Sequence, residues 1–98
     1  MSAENAALLR EMLCQVVEEG TAQDAAGLEG GAGGKTGTAQ TGQFDADGTE
    51  RKNLWFAGFY PAEKPRWTIV VMQDAQTEPE VSSAAVFARL CDALSAGE

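Results

Sequence analysis

Apolar residues first recur at helical spacing. Leu9, Met12, Leu13, Val16 and Val17 fall three or four positions apart, which predicts an amphipathic helix over residues 3–19. Ser2 is placed to cap it, Glu4 suits its positive end, and Gly20 is placed to stop it in a left-handed conformation. Residues 53–60, NLWFAGFY, are apolar at both parities, as in a strand covered on both faces. Leu54, Phe56 and Tyr60 face one way; Trp55, Ala57 and Phe59 face the other. Gly58 inside this run implies close approach by another group. A turn from Pro61 to Arg66 leads into a β-branched run, WTIVVMQ, at 67–73, so the two runs read as an antiparallel hairpin. Residues 78–95 read as a second helix, with Pro79 in its first turn and Ala84, Phe87, Ala88, Cys91 and Leu94 on one face.

The remaining stretches are polar or glycine-rich. Residues 21–34, TAQDAAGLEGGAGG, read as a loop that loosens toward its end, and 35–40 as a short polar strand. Residues 41–52 read as a polar connection with a solvated turn at Asp47-Gly48. The "DADG" in it lacks the spaced ligand set of a calcium loop. The order is helix, strand, strand, strand, helix. Neither helix lies between two strands, so the fold class is α+β, a three-stranded antiparallel sheet flanked by an N-terminal and a C-terminal helix.

Charge narrows the function. Fifteen acidic against seven basic residues give a net charge of −8, which repels a nucleic-acid backbone, so no nucleic-acid partner is expected. The same charge disfavours an anionic membrane surface. The chain has no histidine, the commonest general base and metal ligand, and no metal or cofactor is expected. Cys14 and Cys91 form no CxxC pair and sit on apolar helical patterns, so they read as buried small hydrophobes. Residues 1–20 carry charges where a signal peptide would be apolar, and no stretch reaches the length of a membrane helix. No targeting signal is therefore read in the chain.

The stretch GGAGGKTGTAQTG at 30–42 admits three readings. A phosphate-binding P-loop would need a glycine where Glu29 stands, and a helix after Lys35-Thr36. A flexible linker accounts for the glycines but not for the lysine and hydroxyls that follow. The third reading is an active-site strand, with Lys35 and Gly37 on one parity and Thr36 and Thr38 on the other.

K-T-G is a signature element of penicillin-binding proteins and class A β-lactamases. "GGKTGTAQ" followed by "NLWFAGFYPAEKPRWTIVVMQD", with "LLREMLCQVVEEGTA" upstream, resembles the end of the transpeptidase domain of class B penicillin-binding proteins over roughly residues 5–94. The resemblance implies a partial β-lactamase/transpeptidase-like fold in which the K-T-G strand is an edge of the sheet. It implies a peptidoglycan D,D-transpeptidase whose serine attacks the D-Ala-D-Ala stem peptide, and which β-lactams acylate. Lys35 would supply positive charge beside the catalytic hydroxyls. Thr36 and Thr38 would hold the substrate's carboxylate, Gly37 would keep the strand open, and the Thr38 backbone N–H would form half of an oxyanion hole. Trp55, Phe56, Phe59, Tyr60 and Trp67 are read as core packing.

The departure from the family is the absence of S-x-x-K: none of Ser2, Ser82, Ser83 and Ser95 has lysine three residues on, and there is no S-x-N. The expectation is one partial domain over 1–98, the C-terminal segment of a transpeptidase domain, inactive alone because its nucleophile lies upstream. The parent would be extracytoplasmic and anchored at the bacterial cell membrane. The outer edge of strand 67–73 would be bare, so self-association through it is expected. The alternatives are a fragment of a serine β-lactamase-like hydrolase or a small non-enzymatic binding module; a nucleotide-binding protein leaves the aromatic hairpin unexplained.

Overall fold

The computed structural model describes residues 1–20, 22–77 and 80–97. Helix α1 spans Ala3–Glu19, and the Ser2 hydroxyl accepts from the Asn5 amide at 3.1 Å, as its capping position implies. Gly20 ends the helix, but at φ −106° and ψ −141°, which is not the expected left-handed cap. Space explains this glycine: an added Cβ would lie 2.9 Å from the Val16 carbonyl oxygen. On the apolar face of α1, Val17 is buried and Val16 packs on the core. Leu9 and Met12 are exposed, against the even burial that their spacing suggests.

Strands β1 (Gly33–Phe44), β2 (Glu50–Tyr60) and β3 (Trp67–Gln76) form an antiparallel sheet in the order β1-β2-β3. All three outrun the sequence reading, and residues 41–44 and 50–52 belong to strands rather than to a polar connection. Polar ladders hold them where no core does. Thr41 Oγ1 donates to the Arg51 carbonyl, Glu50 accepts from the Gly42 amide at 3.1 Å, and Arg51 pairs with Asp45 at 2.7 Å. The turn is confined to 45–49, where Gly48 has φ +89° and Thr49 N donates to Asp47. That hydrogen bond holds the Asp47 carboxyl below its usual range.

Directly opposed residues share a face of a sheet. Thr36, Phe56 and Val71 line up on one face, with Gly34, Gly58 and Ile69 beside them. Helix α2, Ser83–Ala96, covers this face through Ala84, Phe87 and Cys91, all buried. Phe87 meets Phe56 with ring centroids 4.7 Å apart, and each ring's burial is worth about 1.5–3 kcal/mol. Gly58 is needed here, as the sequence implied: an added Cβ would lie 2.8 Å from the Gly33 carbonyl oxygen and 2.9 Å from Phe87. The helix starts at Ser83, not 78, with Ser82 accepting from the Ala85 amide at 3.1 Å; Pro79 lies outside the described residues.

The opposite face carries Lys35, Ala57 and Val70 in one row and Gly37, Trp55 and Met72 in the next. Leu9 and Leu13 of α1 flank its Phe59–Thr68 end. Farther along it is open: Trp55 is 39% exposed, Val70 59% and Met72 44%. Core packing therefore holds for Phe56 and Tyr60 and fails for Trp55, because no described element covers that part of the sheet.

Candidate functional site

The segment before β1 is packed rather than loose. A short 3-10 turn at Gln23–Ala25 follows α1, and Ala22, Ala25 and Ala32 are buried in the core. Gly30 and Gly31 take φ of +89° and +70°, a region other residues avoid, and the Gly30 carbonyl accepts from the Ala62 amide at 3.1 Å. Gly33 and Gly34 are glycines for want of room: an added Cβ would lie 2.3 Å from Phe59 Cζ and 2.4 Å from Phe56 Cζ respectively. Aromatic rings of β2 thus lie over the entry of β1. Tyr60 Oη donates to the Glu29 carbonyl at 2.7 Å and lies 3.3 Å from Ser95 Oγ of α2, and Trp67 stacks on Tyr60 at 6.0 Å. These contacts replace the flexible linker that the glycine content suggested.

Held at its start, β1 runs along the sheet edge with Lys35 opposite Ala57, Thr36 opposite Phe56, Gly37 opposite Trp55 and Thr38 opposite Leu54. Lys35–Thr38 is extended, so the P-loop reading is excluded. Lys35 is exposed on the open face and its Nζ donates to the Thr36 carbonyl at 3.1 Å. Thr36 and Thr38 belong to the face that α2 covers. They line a small cavity of roughly 170 Å³ with Asp24, Trp55, Ser82 and Ser83. The parity split between the lysine and the threonines is the one the sequence implied. Substrate-sized groups would meet both only across the edge itself.

Asp24, Ser82 and Ser83 were not anticipated. Ser82 donates to the Asp24 carboxylate while capping α2, and Ser83 Oγ donates to the Leu54 carbonyl at 2.9 Å. A helix-start signal was present in the serine pair before an alanine-rich apolar run. Nothing local marks Asp24, which reaches Ser82 only through the fold.

Gly37 contrasts with its neighbours. An added Cβ there would lie 3.7 Å from Trp55 Cβ, an ordinary contact, so packing within this chain does not demand glycine. The edge therefore presents a lysine, two hydroxyls and an uncluttered backbone, a surface suited to an extended chain bearing an anionic group. Neither thiol adds a nucleophile. Burial pushes Cys91 up to about 11, and burial, reinforced by Glu18, raises Cys14. Among the described residues no group of His, Cys, Asp or Glu side chains could hold a metal ion, and no helix is long and apolar enough to cross a membrane. A larger groove, about 620 Å³, lies between α1 and the 61–66 turn, away from β1.

The family described as penicillin binding protein transpeptidase domain matches residues 1–92. No curated protein matches. Among solved structures, the D,D-transpeptidase domain of a peptidoglycan glycosyltransferase from Eggerthella lenta is similar at 31% identity and a TM-score of 0.76. The match covers 99% of this chain and 21% of that one, so the chain spans about a fifth of the length of this solved relative.

Proposed function

The chain belongs to the penicillin-binding protein transpeptidase domain family, and on that footing we propose that Lys35–Thr38 is the substrate-binding and oxyanion wall of a serine-type D,D-transpeptidase cleft. The reading rests on one observation above all: the edge position of β1, along which Lys35 and Thr38 are exposed and Gly37 is not required by packing against its described neighbours. The D-Ala-D-Ala end of a peptidoglycan stem peptide, or a β-lactam in its place, lies extended against this edge. The Thr36 and Thr38 hydroxyls hold its terminal carboxylate from one side. Lys35 adds positive charge from the other.

A serine outside this sequence attacks the D-Ala-D-Ala carbonyl. The Thr38 amide donates to the oxygen as it becomes negative, a contribution of several kcal/mol per donor. D-Alanine leaves with a proton, and the acyl group passes to an amine of a neighbouring stem peptide. The 98 residues contain no S-x-x-K, so the chain alone forms no acyl-enzyme. The protein that carries it works outside the cytoplasmic membrane, where its substrate is.

A chimera tests this. The chain replaces the matched fifth of the Eggerthella lenta domain and is incubated with fluorescent penicillin. Stable labelling of the chimera, its loss in Lys35→Ala, and no labelling of the 98-residue chain are expected. A folded chimera that is not labelled, or one labelled as strongly with Lys35→Ala, would refute the assignment. Rapid release of the label would point to the β-lactamase-like alternative.

A further inference from the structure

Thr38 on β1, Leu54 on β2 and Gln73 on β3 stand opposite one another in a single row across the sheet. The start of α2 is bonded to both of the other members of Thr38's row. Ser83 Oγ donates to the Leu54 carbonyl at 2.9 Å, and Gln73 Nε2 donates to the Val81 carbonyl at 2.8 Å. Ser83 is only 5% exposed, so water hardly competes for its hydroxyl. Ser83, Leu54 and Thr38 also border the same cavity of roughly 170 Å³.

This row is where the sheet needs a tie. On the same face, the row Thr36–Phe56–Val71 is fixed to α2 by apolar packing of Phe56 on Phe87. At the Thr38 row hydrogen bonds take over from rings. Just beyond it the ladders are irregular: the β2–β3 register shifts between Lys52 and Leu54, and the β1–β2 register between Gln40 and Gln43. A register shift disrupts the ladder locally, so backbone pairing alone holds this row less firmly.

We propose that Ser83 and Gln73 are positioning residues for the Thr38 amide: acting through Leu54, they set where the edge of β1 stands against its substrate. This rests on the reading of Thr38 as an oxyanion donor, and neither residue touches the substrate itself. An amide that must meet a developing oxyanion tolerates little displacement, whereas a threonine hydroxyl can turn to keep its hold on a carboxylate. Loosening the row therefore slows acylation more than it weakens binding.

The chimera described above separates the two readings. Labelling that depends on Lys35 upholds the substrate reading. The limiting rate of acylation and the half-saturating penicillin concentration are then measured for each variant. Ser83→Ala should lower the limiting rate about tenfold, a part of the roughly 10²–10³ lost with a whole donor, and leave half-saturation within about twofold. Gln73→Met, similar in length but without the donor, should show the same split more weakly. Ser83→Thr, which keeps the hydroxyl, should restore the rate. Cys91→Ala, about two turns farther along α2, removes buried packing without touching the row and should leave the rate unchanged. An unlabelled chimera counts against the substrate reading; the coupling itself is then read from the Thr38 amide resonance of the 98-residue chain. Ser83→Ala and Gln73→Met should shift that resonance, and Cys91→Ala should not. The proposal is overturned by parent rates in both Ser83→Ala and Gln73→Met, by equal slowing in Cys91→Ala, or by a Thr38 resonance that neither row variant moves.

Discussion

At Gly34 an added Cβ would sit 2.4 Å from Phe56 Cζ and 2.7 Å from the Ala57 carbonyl oxygen; at Gly37, on the same strand, it would sit 3.7 Å from Trp55 Cβ. Glycine at the first position is dictated by a ring and a backbone that cannot both move away. Glycine at the second is not dictated by any described residue of this chain. One strand thus passes from a segment fixed by packing to a segment left clear. An open position that the fold does not require is where an external ligand has room to set the requirement.

The contrast is broken most directly by Gly34→Ala, which should cost about 3 kcal/mol in urea unfolding, because relief would need a shift of the β1–β2 backbone. If that cost vanishes, β1 is not pinned as described. Gly33→Ala should cost less, about 1–2 kcal/mol, since the half-buried Phe59 ring has room to turn aside.

The packed half should also show itself in pH. The Cys91 thiol, pushed by burial from 9.0 to about 11, is protonated in the fold where the unfolded chain has lost its proton. The folded state then binds more protons, so stability is unaffected below about pH 9 and falls as pH rises toward 11. Cys91→Ala should flatten that decline relative to the parent chain, whatever it does to stability at neutral pH.

Ser82→Ala removes the α2 cap and the tie to Asp24 and should cost about 1 kcal/mol. Gly37→Ala should change stability by no more than about 0.5 kcal/mol. It should nevertheless reduce penicillin labelling in the chimera, which would separate the two glycines by what they answer to. Equal labelling would mean that the open segment is merely open.

Much of this was legible in the sequence. The hairpin at 53–73 could be read because apolar side chains at both parities leave few alternatives. The opposite faces of Lys35 and Thr36 follow from strand alternation alone. The edge position of β1 came from the resemblance rather than from periodicity. What escaped depends on long-range contacts. The burial of Gly33 and Gly34 is set by Phe59 and Phe56, and the Asp24–Ser82 contact spans 58 residues. Strand at 41–44 and 50–52 is held by backbone and polar cross-strand bonds, which leave no hydrophobic rhythm to read. The exposure of Trp55 was missed because a two-faced apolar strand implies two covers, and among the described residues only one face has one there.

The two tryptophans stand on opposite sides of the sheet, Trp55 on the open side and Trp67 stacked on Tyr60 beneath α2. Their fluorescence is therefore a two-channel gauge. A molecule settling on the bare side dries Trp55 and shifts its emission to the blue. Loosening around Tyr60, the anchor of the Glu29 segment, alters Trp67 instead. Trp55→Phe and Trp67→Phe variants split the channels, so occupancy and loosening are read separately from one unlabelled sample.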